Sequence, residues 1–117
     1  MAEQEGVIKY RLIFQSEDSG CSDHELSLLN ESRSILRFES LIGQDPDRYD
    51  NFGYGNISIR CNDGLGFVIS GTQTGKQESL LSKDVAYVSK IDVTENTLWA
   101  IGQVEPSSEA MTHGVLY

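Results

Sequence analysis

The first clear pattern in the chain is an alternation of apolar and polar positions near its start. Across residues 7–14 the even-numbered positions are apolar, and Lys9 and Arg11 stand between them. Side chains on one face of a strand repeat with a period of two. The pattern therefore predicts a strand over residues 7–14 with one face buried.

The next pattern has the period of a helix. Ser22 is followed three residues later by Glu25, which is the signature of a capping box at a helix start. The apolar side chains that follow fall on one stripe of a helix, at Leu28, Leu29, Ile35, Leu36 and Ile42. Gly43 and Pro46 are typical of a helix end. We expect a helix over residues 23–42, followed by a loop over residues 45–54.

Short apolar segments alternate with turn residues after this loop. Asn62, Asp63 and Gly64 are typical of a hairpin turn, here between strands 57–60 and 67–70, which should pair antiparallel. Residues 79–84 predict a short turn, and residues 85–91 and 97–101 predict a second pair of strands. The order β-α-ββ-ββ-α favours an α/β fold with a mixed, largely antiparallel central sheet flanked by helices.

The last pattern is a helix start without a helix end. An apolar-rich run is opened by a Pro, two hydroxyls and a carboxylate, a composition that suits a helix N-terminus able to hold an anion: Pro106, Ser107, Ser108 and Glu109. No capping residue, basic cluster or Pro closes the run before Tyr117. We expect residues 1–117 to be a single domain that forms the N-terminal portion of a larger one.

The composition narrows the classes of function. The 117 residues carry a formal net charge of −9, and without a basic stripe this argues against nucleic acid as a partner. No apolar run approaches the roughly 20 residues of a membrane span, and the acidic start has the features of neither a signal peptide nor a transit peptide. We therefore expect a cytoplasmic protein with no membrane partner, in which Cys21 and Cys61 are reduced thiols.

Two glycines and a lysine near residue 75 superficially suit a phosphate loop. A Walker sequence needs four residues between its glycines and a Ser or Thr after its Lys. Here three residues separate Gly71 from Gly75, and Gln77 follows the Lys, so nucleotide binding is not favoured. Ser70 and Gly71 nevertheless end a predicted strand, where backbone N–H groups and a hydroxyl could hold a phosphate or carboxylate. An ordinary strand-ending turn is the alternative.

The histidines and serines offer weaker signals. His113 lies four residues after Glu109, so the two could share a metal or act as acid and base, and a core or supporting histidine is the alternative. A zinc site needs three or four protein ligands, and no His or Cys cluster in the sequence completes such a set. His24 is expected at the surface. Neither Ser58 nor Ser70 has the setting of a catalytic serine.

Three ordered blocks of sequence resemble one known family. They are Gly-Asn-Ile-Ser-Ile-Arg at 55–60, Phe-Val-Ile-Ser-Gly at 67–71 and Pro-Ser-Ser-Glu at 106–109. Their order and spacing resemble the class II aldolase/adducin N-terminal family, which includes sugar-phosphate aldolases and a ribulose-phosphate epimerase. The resemblance covers residues 26–117 and implies a three-layer α/β/α fold, to which the strand over residues 7–14 is an addition.

The resemblance also implies roles for six residues. The substrate phosphate would be held by Asn56, Ser70, Gly71, Ser107 and Ser108. Glu109 would be the catalytic acid–base, beside zinc. The histidines that hold zinc in the family have no counterpart in this sequence, so no metal site is complete, and Glu109 is a possible metal ligand. The resemblance therefore implies that zinc belongs to a longer parent, and that this chain holds no metal tightly and is inactive.

Substrate and assembly follow from the same resemblance. The parent would be a zinc-dependent lyase or epimerase that acts on a small anionic substrate, either sugar-phosphate-like or hydroxy-carbonyl. A homo-oligomer is implied, which in the family is a tetramer. Two alternatives stay open: a non-catalytic binding or scaffold module, as in adducin, and a complete chain that binds an anion in a reduced half-site.

Overall fold

The computed structural model describes residues 10–47, 53–61 and 66–117, and that part of the chain forms a mixed five-stranded sheet with two helices. In chain order the elements are β1 (Arg11–Ser16), α1 (Asp23–Phe38), β2 (Gly43–Gln44), β3 (Gly53–Tyr54), β4 (Ser58–Arg60), β5 (Phe67–Ser70), β6 (Val85–Asp92), β7 (Thr97–Gly102) and α2 (Ala110–Leu116). A short 3-10 turn at Ser82–Asp84 precedes β6.

The sheet has the strand order β1-β7-β6-β5-β4. Strand β4 pairs antiparallel with β5, β5 with β6, and β6 with β7, so both hairpins predicted from the sequence are confirmed. Strand β1 is added at the edge, parallel to β7. The sheet is therefore mixed and largely antiparallel, as expected. The predicted turn residues 62–64 and the first part of the predicted strand 7–14 lie outside the described residues.

The two helices lie against opposite faces of the sheet. In β5, Phe67 and Ile69 share a buried cluster with Met111 of α2, whereas Val68 shares a second cluster with Leu29 of α1. Successive side chains of a strand point to opposite faces. The alternation within β5 thus assigns one helix to each face, and each helix covers its own apolar cluster.

Helix α1 begins as predicted but ends earlier. The capping box at its start is confirmed, since Ser22 and Glu25 each accept the other's backbone N–H. The helix ends at Phe38, not at residue 42. Ser40 takes a left-handed conformation with φ 60°, and the Leu41 N–H donates to the Leu36 carbonyl at 2.8 Å. These are the features of a Schellman ending, which a serine forms here without the expected glycine.

The buried stripe of α1 also differs from the predicted one. Leu29 and Arg33 are each 1% exposed, whereas Ile35 is 63% exposed and Leu28 is 38% exposed. Ile42 is buried as expected, but it lies beyond the helix. The buried stripe is rotated from the predicted one, because the face of α1 toward the sheet carries Leu29 and, one turn later, Arg33.

Two further predictions are corrected. The loop expected over residues 45–54 is bordered by a short antiparallel ladder, in which Gly43 pairs with Tyr54 and Gln44 with Gly53. Helix α2 begins at Ala110, later than the Pro106 start expected from the sequence, because the preceding residues bond instead to the end of β5. No helix in the described part of the chain is long and apolar enough to cross a membrane.

Candidate functional site

A cavity of about 280 Å³ lies where three segments of the chain meet. We call these segments the strand wall (residues 53–58), the loop wall (residues 71–77) and the serine wall (residues 107–109). The cavity is lined by Leu41 and by residues of all three walls: Gly53, Tyr54, Gly55 and Asn56; Gly71, Thr72, Gln73 and Gly75; and Ser107, Ser108 and Glu109. Five of the six residues singled out by the family resemblance are in this lining.

Backbone hydrogen bonds join the serine wall to the end of β5. Gly71 forms an isolated antiparallel bridge with Pro106. The Ser107 N–H donates to the Ser70 carbonyl at 3.1 Å, and the Thr72 N–H donates to the Glu105 carbonyl at 2.9 Å. This pairing holds residues 105–107 in an extended form, so α2 begins after them.

Glycines permit the close approach of the walls. A Cβ at Gly71 would lie 2.5 Å from Val104 Cγ1, closer than real Cβ atoms approach, and 3.0 Å from the Asp84 carbonyl oxygen, which is a tight contact. Gly55 has φ +81°, and a Cβ there would collide with the Leu41 carbonyl oxygen. Only glycine fits a left-handed turn of this kind without strain.

Ser70 is the one residue of the six that does not line the cavity. It is 2% exposed. Its hydroxyl accepts the Ile57 N–H at 3.1 Å, and its carbonyl accepts the Ser107 N–H. Ser70 therefore connects the strand wall to the serine wall and lies behind the surface that a ligand would touch.

The serine wall is held in place by neutral hydrogen bonds. The Ser107 hydroxyl accepts the Glu109 N–H at 3.2 Å, and the Ser107 carbonyl accepts the Tyr10 hydroxyl at 3.0 Å. Burial, and then the charge of Glu105, raise the pKa of Tyr10 to about 12. The phenol consequently stays protonated and able to donate at physiological pH.

Among the described residues that line the cavity, Glu109 carries the only charged side chain. Its Oε2 accepts the Thr112 hydroxyl at 3.2 Å, a bond that steadies the carboxylate. The other lining side chains are neutral, and several of them carry hydroxyl or amide donors. The surface can therefore donate hydrogen bonds to a ligand next to a single carboxylate.

Two arginines of α1 hold the loop wall from behind. Arg33 donates to the Thr74 carbonyl at 2.6 Å, and it also bonds the Gln77 and Gly75 carbonyls. Arg37 donates to the Gly75 carbonyl as well. Burial, and then the neighbouring charge of Arg37, lower the pKa of Arg33. These contacts fix the backbone of the loop wall and place positive charge close to the cavity.

The contacts of Arg33 and Arg37 with the loop wall were not predicted from the sequence. A signal was available, because Arg33 follows Leu29 by four residues and so falls on the face of the helix that is buried. A cation at such a position must find acceptors when it is buried. Which acceptors it finds depends on the loop wall, which lies 41 to 44 residues further along the chain.

A histidine of α2 holds the strand wall. His113 Nε2 bonds to Asn56 Oδ1, and His113 Nδ1 bonds to the Ser58 hydroxyl at 2.7 Å. The same Ser58 hydroxyl bonds to the Tyr117 hydroxyl at 2.5 Å. Burial lowers the pKa of His113, and the nearby charge of Glu109 opposes this shift. These contacts agree with the alternative in which His113 supports neighbouring side chains. They do not agree with the alternative in which His113 shares a metal with Glu109.

These residues do not fit a zinc site. Both ring nitrogens of His113 are occupied by hydrogen bonds, which leaves Glu109 without a second ligand on its helix. Within residues 10–47, 53–61 and 66–117, no three His, Cys, Asp or Glu side chains come together in a way that could hold a metal ion. One carboxylate falls short of the three protein ligands that a catalytic zinc needs.

Comparison of the chain with protein-family models, with curated proteins and with solved structures gives no match.

Proposed function

We propose that this chain is a class II aldolase-like domain whose cavity binds the anionic end of a small sugar-phosphate-like or hydroxy-carbonyl substrate. Asn56, Gly71, Ser107 and Ser108 would surround the anion, and Ser70 would support them from behind. Glu109 would act as the acid–base on the carbon chain. In a longer parent this activity would belong to a lyase or epimerase.

The observation that carries the proposal is the convergence of separate blocks of sequence on one cavity. The Gly-Asn, Ser-Gly and Ser-Ser-Glu blocks were singled out from the sequence alone, and each contributes lining residues. Asn56 and Glu109 are separated by nearly half of the chain, so it is the fold that brings them to the same cavity. The placement of one helix on each face of the sheet is consistent with the three-layer arrangement of that family.

The charges around the cavity also support an anionic ligand. The hydroxyl and amide donors of the lining are neutral, so they can approach an anion without the repulsion of a carboxylate. Arg33 and Arg37 bond the carbonyls of the loop wall. Their positive charge offsets part of the negative charge of Glu109. Helix α2 contributes little to this balance, because its seven residues make a short dipole,.

A role for Glu109 as acid–base follows from its position. Glu109 belongs to the same lining as the proposed anion-binding residues, and a carboxylate at hydrogen-bond distance from a substrate carbon acid or its oxygen can move a proton. Zinc chemistry would need ligands beyond those that the described residues supply, so no step through a metal is assigned to this chain.

The test is a titration of the chain with inorganic phosphate and with glycerol phosphate, followed by NMR. We expect the backbone signals of Gly71, Ser107 and Ser108 to shift together, and Ser108→Ala to weaken binding. Glu109→Gln should strengthen binding by about threefold, because it removes a like charge from the lining of the same cavity,.

Glu31→Gln is the matched control, since it makes the same change of net charge at an exposed position of α1. It should leave the affinity unchanged. Shifts scattered over the surface, or equal effects of the two Glu variants, would contradict a site in this cavity. No binding of phosphate at millimolar concentration would favour the non-catalytic scaffold alternative.

A further inference from the structure

Asn56 occupies a position in which the orientation of its side chain matters. Its Oδ1 is taken by His113 Nε2, and Asn56 lines the cavity. No further hydrogen bond joins its Nδ2 group to any residue that the structure describes. A carboxamide presents an acceptor on one side and two donors on the other. Because Oδ1 accepts from the histidine, the Nδ2 donors are available to a ligand in the cavity.

The polarity of the neighbouring bonds fits one tautomer of the ring. Asn56 Oδ1 can only accept, so His113 Nε2 carries the hydrogen. In a neutral imidazole the other nitrogen is an acceptor, so Nδ1 accepts a hydrogen bond from the Ser58 hydroxyl. Ser58 is in turn able to accept from the Tyr117 hydroxyl. Each donor in this chain of bonds has an acceptor.

We propose that His113 is a positioning residue that orients the Asn56 carboxamide so that its Nδ2 donors face the cavity, with Ser58 and Tyr117 holding the ring in the Nε2–H tautomer. That the ligand facing Asn56 is an anion rests on the proposed function. His113 itself does not line the cavity, and it acts through Asn56. If the carboxamide were reversed, its oxygen would face the cavity and repel an anion.

The low proton affinity of the ring supports this assignment. Burial lowers the pKa of His113 despite the charge of Glu109, so the imidazole is neutral near pH 7.5. Protonation would not break the bond to Asn56, because Nε2 donates in both charge states. It would instead reverse the bond to Ser58, whose hydroxyl would have to accept from Nδ1.

The first arm of the test needs no ligand. A long-range ¹H–¹⁵N spectrum at pH 7.5 should show His113 as the Nε2–H tautomer, whereas the exposed His24 should show the averaged signal of a solvated ring. These are the only two histidines, so His24→Gln assigns both. The Nδ1–H tautomer at His113 would mean a reversed carboxamide and would overturn the proposal. Averaging like that of His24 would overturn it too.

The second arm uses sulfate, which keeps its double charge between pH 5 and 8. His113→Leu should weaken sulfate binding by about tenfold, the effect of one lost positioning hydrogen bond. His113→Gln offers an amide donor at a similar reach, so it should recover most of the affinity. Ser58→Ala, which frees the ring but keeps the histidine, should give a smaller loss. His24→Gln should have no effect.

The two arms separate this inference from the proposed function. If sulfate does not bind to the wild-type chain but His113 shows the expected tautomer, and His113→Leu alters the side-chain amide signals of Asn56, the anion site is wrong and the positioning role stands. If sulfate binds in the cavity and His113→Leu binds it as tightly as His113→Gln, the positioning role is wrong and the anion site stands.

Discussion

The loop wall and the strand wall border the same cavity but are held by opposite means. Arg33 of α1 holds the loop wall with a buried cation bonded to backbone carbonyls. His113 of α2 holds the strand wall with a neutral ring bonded to side chains. A buried guanidinium must keep its acceptors, because the charge cannot be given up near neutral pH. A neutral imidazole network can be lost or protonated at lower cost.

The comparison predicts that the loop wall is the more sensitive to substitution. Removal of Arg33 by Arg33→Met should lower the free energy of unfolding by about 3 kcal/mol, since it leaves several carbonyls of the loop without their donor. Urea denaturation followed by circular dichroism measures the change.

Lys76→Met is the control for this experiment, because Lys76 is an exposed cation of the same loop. It should change the free energy of unfolding by less than about 0.5 kcal/mol. Equal effects of the two substitutions would show that burial of the charge is unimportant to the loop wall.

A second substitution tests the backbone contact between the loop and serine walls. Gly71→Ala should destabilise the chain by about 2 kcal/mol, because the new Cβ meets Val104 Cγ1 at 2.5 Å,. The double variant with Val104→Ala should lose less than the sum of the single losses, since the smaller side chain makes room. Simple additivity in urea denaturation would argue against the predicted clash.

The strand wall should respond less strongly and with a dependence on pH. His113→Leu should lower the free energy of unfolding by about 1.5 kcal/mol at pH 7.5, where two hydrogen bonds of the ring are lost. The folded chain lowers the pKa of His113 from its ordinary value of 6.5. The unfolded state then binds the proton more readily, so the wild type has this contribution in full above pH 6.5 and loses it as the pH falls.

The difference between the wild type and His113→Leu should therefore narrow between pH 7.5 and 5. Within the described part of the chain, Glu109 affects the pKa of the ring and Tyr117 bonds to the same Ser58 hydroxyl as the ring, and both are present in the variant. The same pH series for His24→Leu, at an exposed position, is the control for the loss of a histidine. A difference that stays constant across this range would mean that the histidine is protonated as easily in the folded chain as in the unfolded one.

The smallest effect is expected at the serine wall. Tyr10→Phe removes the bond to the Ser107 carbonyl and should lower the free energy of unfolding by about 1 kcal/mol. The folded chain raises the pKa of Tyr10 from 10.0 to about 12. The unfolded state then loses its proton first, so the wild type should lose stability as pH rises from 10 to 12, and the variant should lose less. Parallel loss in both proteins would contradict a buried phenol.

The local sequence was enough to predict most elements of the fold. The capping box of Ser22 and Glu25, both hairpins and the largely antiparallel sheet depend on residues close in the chain. The blocks that contain Asn56, Gly71 and Ser108 could also be singled out from residue types and order. Turn residues and the period of apolar side chains are local properties, so they can be recognised without knowledge of the tertiary contacts.

What the sequence did not predict are the contacts between distant residues. The early end of α1, the buried position of Arg33 and the parallel pairing of β1 with β7 follow from packing, which a period in the sequence does not specify. His113 likewise could be read as a ligand or as a support until Asn56 and Ser58, 57 and 55 residues away, were seen to take both nitrogens. The sequence by itself determined the elements and the residue types available to the cavity. Only the tertiary structure decided which side chains face it and which support it from behind, because each buried polar group must satisfy its bonds with whatever partner the fold brings near.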